Sequence, residues 1–233
     1  MTSVDSVGAV LARIADLPSD WHGRGSVANA CLVALAHHAG NVGTSMETGT
    51  GATTLLLSHL SQDHSVFTID DSAWGKSLEA VQSSELLQRE RVTFVLGPTQ
   101  RTLLNHAFPG ELDVACLDGP HAYPFPELEY WAVYPHVRTG GLLVVDDIHI
   151  PTIGNMFRVL RRDEMWELVD VVETMAFFRR TAAPALDPFG EGWWLQGYNH
   201  KTRHPMFRHT SQQWFREHTP AQLRAVVRRI IGR

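Results

Sequence analysis

The chain has 233 residues, 44% of them hydrophobic and 19% charged, with a formal net charge of −5. That length suits one large domain, or one domain with a small extension, and the composition excludes an intrinsically disordered chain. The negative charge excludes a general attraction for nucleic acid or an anionic membrane surface, and no apolar run reaches the ~18 residues of a membrane span. The one locally basic stretch, "VVRRIIGR" near the C-terminus, reads as a solvated helix face. The N-terminal "MTSVDSVGAVLARIADL" carries acids and lacks the apolar core of a signal peptide, so a soluble, cytoplasmic protein is expected. Cys31 and Cys116 lie in apolar runs without CxxC spacing and read as core thiols.

Helical periodicity covers residues 3–17 and 26–39. Short apolar runs then alternate with amphipathic ones. Strands are predicted at 44–48, 65–70, 92–97, 112–118 and 141–147, each followed by a helix (52–60, 76–89, 99–107, 124–137 and 152–163). Two final strands fall within 166–181 with no helix between them. This alternation predicts an α/β fold: a Rossmann-like, doubly wound, seven-stranded sheet with its last strand antiparallel. The organisation expected is an N-terminal helical segment (1–40), a sheet domain (41–181) and an irregular, Pro-, Gly-, His- and Trp-rich C-terminal extension (182–233). The extension closes with a helix from about residue 220, capped by Thr219 with Pro220 in its first turn and Gln222 completing a capping box. Ligands in such sheets bind at the carboxyl ends of the strands, which is where the suspicious polar clusters fall.

The first cluster is "METGTGATT" (46–54). Gly49 and Gly51 allow a sharp turn and a close backbone approach before a helix whose first N–H groups are free. A dinucleotide site would want a third glycine, but Thr53 stands there. Glu47 at the strand end would repel a pyrophosphate and suits a cationic group, such as the amino group of S-adenosylmethionine. The plain alternative is a Gly-rich strand-to-helix turn. The second strand ends in "IDDS", about 20 residues further on, where a carboxylate can accept both ribose hydroxyls. Asp70 is the better candidate and Asp71 the alternative.

Two further acid clusters stand at later strand ends: Asp118 with His121 in "LDGPHAYP", and the adjacent pair Asp146–Asp147 in "GGLLVVDDIHIP". Carboxylates gathered at one sheet edge repel one another unless a cation intervenes. All-oxygen ligation favours Mg²⁺ or Mn²⁺ over zinc. A histidine of unperturbed pKa ~6.5 suits a general base. Asp118–Gly119 alone is also an ordinary turn signal. His149 reads as a partner of the acids, a substrate contact or a surface residue.

With Glu-x-Gly-x-Gly after the first strand and an acid after the second, residues 40–181 resemble the class I S-adenosylmethionine-dependent methyltransferases. The Asp-Gly-x-His and Asp-Asp motifs resemble the metal-dependent O-methyltransferases, and more closely those acting on macrolide and related sugars. The resemblance implies donor binding by Glu47, Gly49, Gly51, Thr53, Asp70, Asp118 and, near the adenine, Thr99. It implies metal ligation by Asp118, Asp146 and Asp147, and His121 as the base. It further implies methyl transfer to a sugar hydroxyl on a small molecule or oligosaccharide, in a homodimer. Pro120 departs from the sugar enzymes. A catechol or phenol acceptor, or a non-catalytic donor-binding domain, are the alternatives.

Overall fold

A computed structural model describes residues 7–21, 27–73 and 75–201. The helix expected from about residue 220, with Thr219, Pro220 and Gln222, lies outside them. Helices α1 (Val7–Ala15) and α2 (Asn29–Ala39) precede seven strands: β1 (Val42–Thr48), β2 (Ser61–Thr68), β3 (Val92–Leu96), β4 (Leu112–Leu117), β5 (Val137–Val145), β6 (Trp166–Val172) and β7 (Met175–Arg180). Helices α3 (Ala52–Leu60), α4 (Ser77–Ser83), α5 (Thr99–Thr102), α6 (Phe125–Val133) and α7 (Pro151–Leu160) link the strands up to β6.

The strands lie in the order β3-β2-β1-β4-β5-β7-β6. The first five are parallel, and β7 runs antiparallel to both β5 and β6. The expected seven-stranded Rossmann-like sheet is therefore present. A helix can return the chain to the starting edge and keep strands parallel, whereas the tight Glu173–Thr174 turn between β6 and β7 reverses it. Glu173 takes a positive φ of 50° in that turn.

Each inner strand is apolar on both faces because helices cover both. In β5 and β7, Val144 and Phe177 pack with Leu32, Leu55 and Val114 on the α1–α3 side. Their neighbours Leu143 and Phe178 pack with Phe67 and Met156 on the other side. Cys31 and Cys116 are buried free thiols, as expected, and burial pushes both up in pKa.

Some boundaries depart from the sequence reading. β2 starts at Ser61, directly after α3, because Ser61 and His64 are polar yet buried and bonded to β1. β5 ends at Val145, so both Asp146 and Asp147 lie beyond the strand. The helix expected over 99–107 is only the short α5.

The chain divides into two compact units at Gly192–Trp193. Residues 182–192, read from sequence as the start of the extension, belong to the first. The Tyr134 hydroxyl donates to Leu186 O at 2.8 Å and Trp131 Nε1 to Pro188 O at 3.0 Å. The second unit contains a 3-10 turn at Trp193–Leu195 and helix α8 (Gly197–Lys201).

At the α5 end of the sheet, His106 stands edge-on to Phe67 and Phe108, and Phe108 meets His136. Nε2 of His106 is buried without a hydrogen-bond partner among the described residues. Burial, and then the neighbouring His136, hold His106 below the ordinary histidine pKa. The unfolded chain therefore takes up this proton first, so the associated stability is present above pH ~6.5 and lost on acidification below it. His106→Phe is expected to flatten the fall in thermal midpoint between about pH 6.5 and 5, read by calorimetry at stepped pH.

Candidate active site

β1 delivers Glu47 and Thr48 to the carboxyl edge of the sheet. Gly49 follows with φ +88°, and a Cβ there would lie 2.4 Å from Asp118 O. Glycine is required twice over, by conformation and by the close approach of the β4 turn. Gly51 precedes α3, and its N–H donates to the Thr54 hydroxyl at 3.0 Å.

Glu47 is only 1% exposed. It accepts from the Thr53 hydroxyl at 2.7 Å, from the Thr54 hydroxyl, and from His64 Nε2 at 3.2 Å. His64 Nδ1 in turn meets the Ser45 hydroxyl at 2.8 Å, which contacts Ser61 at 2.6 Å. The carboxylate read from the sequence as facing a cationic ligand is thus held by protein donors, and Thr53 serves as one of them. Together they stitch the glycine turn to α3 and β2.

The acid pair after β2 divides. Asp71 is buried and accepts from the backbone N–H groups of Ser77 (2.7 Å) and Leu78 (3.3 Å), which caps α4. Asp70 stays exposed, bonded to Ser72 N–H at 3.0 Å, and that bond holds its pKa below the usual value. Of the two, only Asp70 has a carboxylate open to solvent.

Asp118, His121 and Asp147 converge. One donor atom from each lies within 4.8 Å of the others. His121 Nε2 is 3.1 Å from Asp147 Oδ2 and 3.8 Å from Asp118 Oδ1. The main chain of His121 is held by α7, as Thr152 Oγ1 donates to its carbonyl at 2.5 Å. Asp147 adopts a left-handed φ of 54°, a conformation that Asp tolerates better than most residues. Its carbonyl accepts from Ile150 N–H at 2.9 Å, which fixes the turn. His149 Nδ1 lies 3.5 Å from Asp147 Oδ1 on the exposed rim.

Asp146, expected as a third ligand, lies outside this group. Its Oδ1 accepts from Asp147 N–H at 2.7 Å and from the Thr174 hydroxyl at 2.8 Å. Adjacent residues beyond a strand point to different sides, so one acid braces the β6–β7 turn while the other reaches the mouth.

Burial pushes Asp118 up to about 7, opposed by His121 and reinforced by the charges of Asp146 and Asp147. His121 is raised by Asp118 first, against burial, and further by Asp147. Such mutual repulsion is what a bound cation would relieve. The two carboxylates fit Mg²⁺ or Mn²⁺, with the imidazole beside them.

Thr48 and Glu129 were not legible as site residues. Glu129 on α6 is 3% exposed, and its Oε2 accepts from Thr48 Oγ1 at 2.9 Å. Thr48 Oγ1 accepts from Asp118 N–H at 3.0 Å. Thr99 is buried, and neither its hydroxyl nor Glu129 Oε1 has a hydrogen-bond partner among the described residues. Burial pushes Glu129 up to about 7, opposed by the Thr48 hydroxyl that donates to it. In sequence Glu129 is one of two acids on an amphipathic helix, and nothing local marks it.

Residues 46–148 match a family model described as a methyltransferase domain. Solved structures share the fold. The chain is 18% identical to a proposed O-methyltransferase from Klebsiella pneumoniae, with TM-score 0.52, covering 78% of this chain and 91% of that one. It is 17% identical to the O-methyltransferase TomG from Streptomyces achromogenes, involved in tomaymycin synthesis and solved with S-adenosylmethionine; the TM-score is 0.53, covering 76% and 90%. It is 14% identical to a proposed caffeoyl-CoA O-methyltransferase from Staphylococcus aureus, with TM-score 0.52, covering 77% and 93%. No curated protein matches the sequence significantly. Residues 46–148 thus match a methyltransferase domain, and the sheet order around the glycine turn is a fold shared with these solved O-methyltransferases.

Glu47→Ala would leave three buried donors without their acceptor. It is expected to cost about 3 kcal/mol of stability, measured by urea unfolding.

Proposed function

We propose that the chain is a divalent-metal-dependent O-methyltransferase acting on a sugar hydroxyl. The observation that carries this reading is the convergence of Asp118, His121 and Asp147 beside the Gly49 turn, where the methyl donor would lie. The sugar assignment rests on the Asp-Gly-x-His motif at residues 118–121. The donor would be held by the β1 turn, with Asp70 accepting the ribose hydroxyls and Thr99 near the adenine.

A divalent ion held by Asp118 and Asp147 would supply Lewis acidity toward the acceptor hydroxyl. The residues of the chain do the rest. His121 Nε2 faces the carboxylate group with a side chain 43% exposed, so an acceptor can reach it. Asp118 and Asp147 raise its basicity, and it takes the hydroxyl proton. The acceptor oxygen then forms a bond to the methyl carbon as the C–S bond of the sulfonium breaks, leaving S-adenosylhomocysteine. The donor is already activated, so the protein's task is alignment and proton removal.

His121→Ala is expected to lower turnover ~10²-fold with S-adenosylhomocysteine binding nearly unchanged, read by steady-state kinetics and calorimetry. In the same assay EDTA should abolish methyl transfer to sugars, and Mg²⁺ or Mn²⁺ should restore it. Full activity in EDTA would remove the metal role, and transfer to catechols alone would move the acceptor to the phenols. Tight NAD binding in place of S-adenosylhomocysteine would sink the donor assignment.

A further inference from the structure

The glycine of the Asp118–Gly119 pair reads in sequence as a turn residue. In the structure its reason is different. A Cβ on residue 119 would stand 2.1 Å from Glu129 Oε1 and 2.4 Å from Oε2. Glycine is there because the Glu129 carboxylate occupies the space a side chain would take.

That carboxylate sits at a junction. From α6 it accepts the Thr48 O–H, and Thr48, at the end of β1, accepts the Asp118 N–H. Thr48 immediately precedes Gly49, whose own missing side chain leaves room for Asp118 O. The donor turn after β1 and the ligand turn after β4 are therefore joined by a single hydroxyl, and the hydroxyl's direction is set by Glu129. Without an acceptor the Thr48 hydrogen would be free to rotate, and the lone pair offered to Asp118 N–H would no longer be held in direction.

We infer that Glu129 is a positioning residue: through Thr48 it fixes the backbone of Asp118, and with it the angle at which the Asp118 carboxylate enters the group formed with His121 and Asp147. The inference rests on the metal-dependent reading above. Partners one bond removed from a ligand commonly change metal affinity by about 10–100-fold when removed, and Glu129 is placed to act in that way on the ligand turn. Its 97% burial follows from its task, because a carboxylate wedged between β1, β4 and α6 can reach the hydroxyl only from inside.

The test is Mn²⁺ binding to the purified full-length chain, by calorimetry or electron paramagnetic resonance, with thermal midpoints measured in parallel. Glu129→Ala and Thr48→Val should each weaken Mn²⁺ binding about tenfold. The double variant should be no weaker than either single, because both break one relay. Glu129→Gln keeps a carbonyl oxygen for the Thr48 hydroxyl, and Thr48→Ser keeps the hydroxyl; both should bind Mn²⁺ within about twofold of wild type. If Glu129→Ala does not fold, the Thr48→Val and Thr48→Ser pair decides the matter alone. Wild-type affinity in Thr48→Val with only a lowered midpoint overturns the inference, as does Glu129→Gln binding as poorly as Glu129→Ala. A wild-type chain that binds no Mn²⁺ overturns the metal reading itself, which is a separate result.

Discussion

Negative charge crowded at the carboxyl edge of the sheet is the constraint around which this site is built. Asp118, Asp146 and Asp147 stand at the ends of two adjacent parallel strands, and Glu129 lies just beneath. Burial makes each charge costly and their proximity makes it costlier. The protein answers this in three ways. Asp146 is given donors, a backbone N–H and the Thr174 hydroxyl. Asp118 and Asp147 are given His121. Glu129 is given Thr48. The pair that reaches the mouth is left with an imidazole and an open side, which the proposed cation and acceptor hydroxyl would use.

The rest of the fold serves to keep these groups in register. The β1–β4 and β4–β5 ladders bring three strand ends to one level. A backbone bond from Asp146 N–H to Leu117 O ties the last two together at 3.1 Å. The antiparallel β6–β7 turn adds Ile148 N–H to Thr174 O at 3.0 Å, so the hairpin steadies the loop carrying Asp147 and His149. On the other face, the buried run Ser61–Ser45–His64–Glu47 locks the glycine turn onto β2 and α3. A buried polar network whose members are hydrogen-bonded to one another is rigid, and the glycine turn rests on this one.

Adjacent acids provide the clearest separation of roles. Asp70 and Asp71 are neighbours, yet one caps α4 from inside and the other stays in solvent. Asp146 and Asp147 are neighbours, yet one braces a turn and the other joins the site. In each pair the outcome depends on which side of the chain is met by a donor from a distant segment.

Periodicity and turn chemistry were enough to read the α/β alternation, the antiparallel last strand, the glycine turn and the placing of acids beyond the ends of β4 and β5. These depend on local pattern and on the rule that parallel strands end together at a ligand edge. The strand ends shifted where polar residues were buried by partners, as at Ser61 and His64, because periodicity reports apolar faces only. Glu47 turning inward, Asp146 leaving the ligand group and Glu129 filling the space beside Gly119 were settled by tertiary structure. Each depends on a hydrogen-bond partner between 6 and 81 residues away in the chain, and a linear sequence does not specify which buried donor a carboxylate will meet.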